Sequence, residues 1–184
     1  YQRMQWTDRI RQMKIILVTV ATIIVTASLV VSHLLTRDLE AEERHKMEIW
    51  AEAMRTLNQA DENTDLNLVL RVINDNNTIP VVVLDAKGNA QTARNINLKG
   101  KVGEDSVLLV NNLGRRLLSE GRFIRISLND SIPSEYIDVC YADSLMLQRL
   151  ATYPYVQLGI VLVFVMVAII ALRTSKRAEQ NKVW

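Results

Sequence analysis

The chain has 184 residues, 49% of them hydrophobic, with 22 Lys/Arg against 20 Asp/Glu, a net charge of +2 and one cysteine, Cys140. A single cysteine excludes an intrachain disulfide, so any domain here is held by packing alone. The net +2 is a sum over the whole chain and says nothing about nucleic acid; no nucleic-acid partner is expected.

Residues 1–14 carry Arg3, Arg9, Arg11 and Lys14 against Asp8 and form a basic N-terminus. Residues 15–35 follow without one Asp, Glu, Lys or Arg. About 18 or more apolar residues suffice to cross a hydrocarbon core, so this run is expected to be a first transmembrane helix. It is longer than the apolar region of a signal peptide, and Thr36-Arg37-Asp38 enters charge with no small-x-small cleavage site.

Nothing stops a helix at Leu35. From Thr36 to about Ala60 there is no Gly or Pro, and Met47, Trp50, Met54 and Leu57 recur at steps of three and four. The first membrane helix is therefore expected to continue outward as a rod for about 37 Å. A short second helix is expected through Leu66, Val69, Leu70 and Ile73, capped by Thr64 or Asp65 and ended by Asn74-Asp75-Asn76-Asn77.

The period then changes. Ile79–Leu84 is apolar on both faces, as in a central strand covered on both sides. A turn at Asp85-Ala86-Lys87-Gly88-Asn89 leads to a partner strand over Ala90–Ile96. Glu104–Ser119 is expected to be helical, with Gly121 placed to end it. Arg122–Leu128 and Tyr136–Tyr141 are two further strands, and Ser144–Arg149 turns helical towards the second apolar run.

Alternation on the second hairpin puts Ile124, Ile126 and Leu128 with Ile137, Val139 and Tyr141 on one face. Phe123, Arg125 and Ser127 fall with Tyr136, Asp138 and Cys140 on the other. If that second face lines a pocket, Arg125 and Asp138 could orient an ionic ligand beside Tyr136 and Phe123. The alternative is a cross-strand ion pair on a solvated face. Cys140 reads as a small buried hydrophobe in its strand.

Residues 153–172 form the second expected transmembrane helix, entered through Tyr153-Pro154-Tyr155. Pro154 is placed to kink it. Trp6, Tyr153 and Tyr155 suit the membrane interface. Residues 173–184 carry Arg173, Lys176, Arg177 and Lys182 against Glu179. Each flank thus takes four basic residues and one acid, leaving 14 Lys/Arg and 18 Asp/Glu in residues 15–172, all in the middle segment. Both termini are expected in the cytoplasm, and residues 36–152, about 117 residues, outside it.

No HExxH, phosphate loop or nucleophile elbow occurs, so no catalytic residue is assigned. His33 and His45 have no partner set at metal-ligand spacing, so no metal site is assigned either.

Two helices, a hairpin, a helix and a second hairpin make an α+β domain with an antiparallel sheet. In that order, with the turn Val83-Leu84-Asp85-Ala86-Lys87-Gly88-Asn89, it resembles the PAS-like (PDC-type) extracytoplasmic sensor domains of bacterial receptors. Tyr153-Pro-Tyr-Val-Gln157 before the span and Ser175-Lys-Arg-Ala-Glu-Gln-Asn-Lys-Val-Trp184 after it are similar to a group of bacterial two-component sensor histidine kinases without a HAMP module. The resemblance implies a homodimer in the bacterial inner membrane. Its middle domain would meet an extracytoplasmic ligand, and the helix past Arg173 would run into a kinase part not contained here. ATP, Mg and a response regulator would belong to that missing part; no cofactor is expected in this chain. A chemoreceptor or cyclase input domain is a second reading, and a membrane-anchored protein-interaction domain that senses nothing is a third. The stripe Met47/Trp50/Met54/Leu57 is expected to be shared between the domain core and a second copy.

Overall fold

The computed structural model describes residues 2–181. Four helices and four strands follow in the order α1 (Gln2–Asn58), α2 (Asn67–Asp75), β1 (Val81–Leu84), β2 (Ala90–Arg94), α3 (Glu104–Ser119), β3 (Phe123–Ser127), β4 (Tyr136–Tyr141) and α4 (Leu145–Asn181). They divide into two compact units, Tyr1–Thr36 with Arg149–Trp184, and Arg37–Gln148. Of the expected helix past Arg173, residues 182–184 lie outside the described residues.

The first unit consists of the apolar parts of α1 and α4. Both helices are long and apolar enough to cross a membrane, and their apolar windows are unburied. Three threonine hydroxyls of α1 are satisfied within the helix: Thr19, Thr22 and Thr26 each donate to the carbonyl four residues back, at 2.8 Å. Such back-bonding removes the penalty of an unpaired hydroxyl in an apolar medium. Ser28 donates to the Gln157 side-chain oxygen at 3.3 Å, joining the two helices. α4 continues helically through Pro154.

The second unit is built on one antiparallel sheet of order β2-β1-β4-β3. The central strand β1 is buried on both faces because each face is covered. Val81 and Val83 join Ile126, Ile137, Val139 and Tyr141 under α1 and α2, which supply Met47, Trp50, Met54 and Ile73. Val82, Leu84 and Cys140 pack instead under Leu117 of α3.

The α1 stripe is therefore consumed at home. Met47, Trp50 and Met54 are buried in their own domain and Leu57 packs against the same cluster, so they present no stripe to a second copy. Periodicity locates an apolar face but does not say which partner covers it. The capping of α2 also differs from expectation: Leu66 occupies the cap position without a side-chain bond. Asp65 accepts from the Asn67 N–H, while the Thr64 hydroxyl donates to Asp61 in the preceding loop. β1 starts at Val81 because Pro80 has no N–H to give a ladder.

Cys140 is fully buried, and burial first, then the nearby Asp138 charge, pushes its thiol up to about 12. Its folded pKa lies above the ordinary 9.0, so both states hold the proton below pH 9. Between there and about 12 the unfolded chain loses that proton first, and stability falls as pH rises. Urea unfolding at pH 8 and pH 10.5 should show a larger loss in the natural chain than in Cys140→Ala. Equal losses would contradict the burial argument.

Candidate ligand groove

Three connections converge at one end of the sheet: the loop into β1, the loop from β2 to α3, and the exit of β4 into α4. Asn95 sits in the left-handed region at φ 57°, and its side-chain amide donates to the Asn76 and Ile79 carbonyls at 3.0 and 2.9 Å. Arg94 adds bonds to the Ile73 carbonyl and the Asn74 side chain at 2.6 and 2.7 Å. These tie the start of the β2–α3 loop to the end of α2. The loop then turns tightly, with Lys99 at φ 50° and Gly100 at φ 76°; the Asn97 side chain accepts the Lys99 N–H at 2.9 Å. A non-glycine residue at positive φ costs on the order of 1 kcal/mol and persists only where its surroundings hold it.

The space bounded by these segments is a groove of about 960 Å³. α3 lines it with Asp105, Leu108, Leu109, Asn112, Leu113 and Arg116, whose spacing is one face of a helix. Asn95, Asn97, Lys99 and Lys101 come from the loop, and Asp143, Leu145 and Gln148 from the β4–α4 junction. The groove is open, and its lining mixes ten polar or charged residues with seven apolar ones. No family model, curated protein or solved structure matches this chain.

α3 lies close enough to form one wall because Gly114 faces the sheet. A Cβ there would stand 2.8 Å from Leu84 Cδ2 and 2.9 Å from Val82 Cγ1.

Beside the groove, Arg122 donates to Asp143 at 2.5 Å and lies 5.4 Å from the Tyr141 ring centre; Arg44 donates to the Tyr141 hydroxyl at 2.6 Å. Burial opposes the Arg122 charge, but the hydrogen bond and charge of Asp143 outweigh it and hold its pKa above the ordinary value. Behind Asp143, Ser144 forms a buried joint. Its hydroxyl and N–H both donate to the Glu43 carboxylate, and its oxygen accepts the Leu147 N–H at 3.2 Å, capping α4.

The four residues singled out from the sequence, Phe123, Arg125, Tyr136 and Asp138, form one cluster, but none lines the groove. Arg125 and Asp138 are cross-strand partners. Arg125 Nε donates to Asp138 Oδ1 at 2.8 Å and its Nη2 to Oδ2 at 3.1 Å, a two-point fork. The guanidinium also stacks 4.0 Å from the Tyr136 ring centre and 5.6 Å from that of Phe123. The Asp138 hydrogen bond holds the Arg125 pKa above its ordinary value. Both carboxylate oxygens of Asp138 are thus engaged within the sheet.

Among the described residues no group of three His, Cys, Asp or Glu could hold a metal ion. The groove residues Lys99, Lys101 and Arg116 escaped sequence reading, because reach across a fold is not periodic. The only local signal is the run Asn97-Leu-Lys-Gly-Lys-Val-Gly103, two lysines among two glycines ahead of a helix.

Proposed function

We propose that this chain is the sensory and signal-transducing part of a bacterial two-component sensor histidine kinase. It acts as a homodimer in the inner membrane, with both termini cytoplasmic and a PAS-like domain outside. A ligand in the groove changes how the domain holds the start of α4, and α4 passes the change through the membrane to a kinase part beyond this chain. ATP, Mg and the response regulator belong to that part.

One observation carries the reading. Leu145 and Gln148, which line the groove, are on the same unbroken helix as the second apolar run. Groove lining and the second apolar run thus belong to one helical element. A ligand can bias such an element only by its difference in affinity for the two arrangements. The element order and the sheet order β2-β1-β4-β3 support the PAS-like assignment.

The test is the coding sequence beyond Trp184 together with phosphorylation of its product. A phosphoacceptor histidine helix, ATP-binding boxes and autophosphorylation from ATP are the expected result. A HAMP module leading to a chemoreceptor or cyclase output would replace this reading with the second one. A partner-binding protein without any output module would replace it with the third.

A further inference from the structure

The groove has a charge that selects its occupant. Lys99, Lys101 and Arg116 line it against Asp105 and Asp143. Asp143 is already neutralised by Arg122. Asp105 stands in the first turn of α3, where its charge complements the helix dipole. Lys99 and Lys101 enter no ion pair among the described residues, and Arg116 has only a 3.8 Å contact with exposed Glu120. Three cations therefore line a groove in which Asp143 is paired and Asp105 is the one remaining acid, so cations stay in excess.

The floor is different in kind. Ile96 and Leu113 line it partly buried, and Leu108 and Leu145 are 58% and 60% exposed. An inorganic anion would satisfy the cations and leave this apolar surface wet. A neutral apolar molecule would cover the surface and leave the cations unanswered.

We propose that the groove binds a small organic anion with an apolar body, its carboxylate or sulfonate held by Lys99, Lys101 and Arg116 and its body laid over Leu108, Leu113 and Leu145. The assignment rests on the sensor reading for its purpose, but its own chemistry stands on the groove alone.

The probes are 2-naphthoate, its neutral analogue 2-naphthamide, and inorganic phosphate. The full chain is held in nanodiscs of zwitterionic lipid, with empty nanodiscs as the partition control, and binding is read by methyl NMR of leucines. Saturable naphthoate binding that shifts Leu108, Leu113 and Leu145 is expected. The amide, phosphate, and naphthoate on a Lys99→Ala/Lys101→Ala variant should each bind about tenfold more weakly or worse, the scale of two charge-assisted contacts at a half-open site. Both lysines are exposed, so the variant keeps the fold, which its unshifted core methyls will verify. Absent naphthoate binding, equal binding of amide or phosphate, or an unaffected variant would each overturn the assignment.

A second readout separates this from the sensor reading. Disulfide formation between two copies at Leu162→Cys is measured with and without naphthoate. Binding without any change in cross-linking would overturn signal transmission and leave the ligand class standing. Failure of binding would remove the ligand class and leave transmission of another signal intact.

Discussion

Arg125→Ala will destabilise the Arg37–Gln148 unit by about 2–3 kcal/mol, whereas Asp138→Ala will cost about 1 kcal/mol or less. The two residues form one ion pair, but they are not equivalent. The Asp138 side chain is 3% exposed and that of Arg125 51%. Removing the guanidinium leaves an ionised carboxylate in the sheet with neither of its two hydrogen bonds, a loss that reaches about 3–5 kcal/mol in fully buried pairs. Water reaching the half-open Arg125 position lowers the figure. It also loses the stacking contact with Tyr136. Removing the carboxylate instead returns Arg125 to solvent and takes away a buried charge. Arg125→Ala/Asp138→Ala should therefore be more stable than Arg125→Ala alone. Urea unfolding followed by near-ultraviolet circular dichroism reads all three variants. Losses that are equal and both below about 1 kcal/mol would show that the pair is a surface contact worth little either way.

Gly114→Val will lower stability by about 3 kcal/mol and the melting temperature by roughly 10 °C. The site sits in the middle of α3, where a glycine ordinarily costs about 1 kcal/mol relative to alanine. What the glycine permits in return is a close approach of α3 to the sheet. The atoms an added Cβ would meet belong to Leu84 and Val82, both fully buried and walled by the rest of the sheet. Neither can swing away, so the helix must lift. Gly114→Ala gains helix propensity and still meets the clash, so a net loss near 1 kcal/mol is expected. Because α3 carries one wall of the groove, Gly114→Val should also weaken naphthoate binding in protein that remains folded. A melting temperature at or above the natural value would show that α3 has room to move.

Much of the fold was legible because it is written in periods. α3 begins and ends at the expected residues, Glu104 and Ser119, since a helical stripe and a following glycine mark both ends. Gly121 does adopt φ 75°, and the Arg122 N–H returns to the Leu117 carbonyl at 3.0 Å. The two faces of the second hairpin follow from alternation alone, as the pairing of Arg125 with Asp138 shows. The destination of the Met47/Trp50/Met54 stripe was not legible, because a single chain and a dimer bury the same pattern. The groove was less legible still. Its walls come from four segments brought together by Asn95 and Arg94 bonding to backbone about 20 residues earlier. No spacing in the chain anticipates such ties.

The joint between Glu43 and Ser144 sets a rule for building hybrid chains. Residues 101 apart in the chain share one buried carboxylate, and Ser144 is also the cap from which α4 starts. A hybrid that takes the Arg37–Gln148 unit from this protein must bring both partners across the seam together. Cutting ahead of Glu43 and beyond Leu147 transfers the joint whole. A seam at Tyr141 would pair this Glu43 with a stranger's helix start, leaving a carboxylate enclosed without donors. The natural seam of the part is thus the closed loop from Arg37 to Gln148, and not the point where the strands give way to helix.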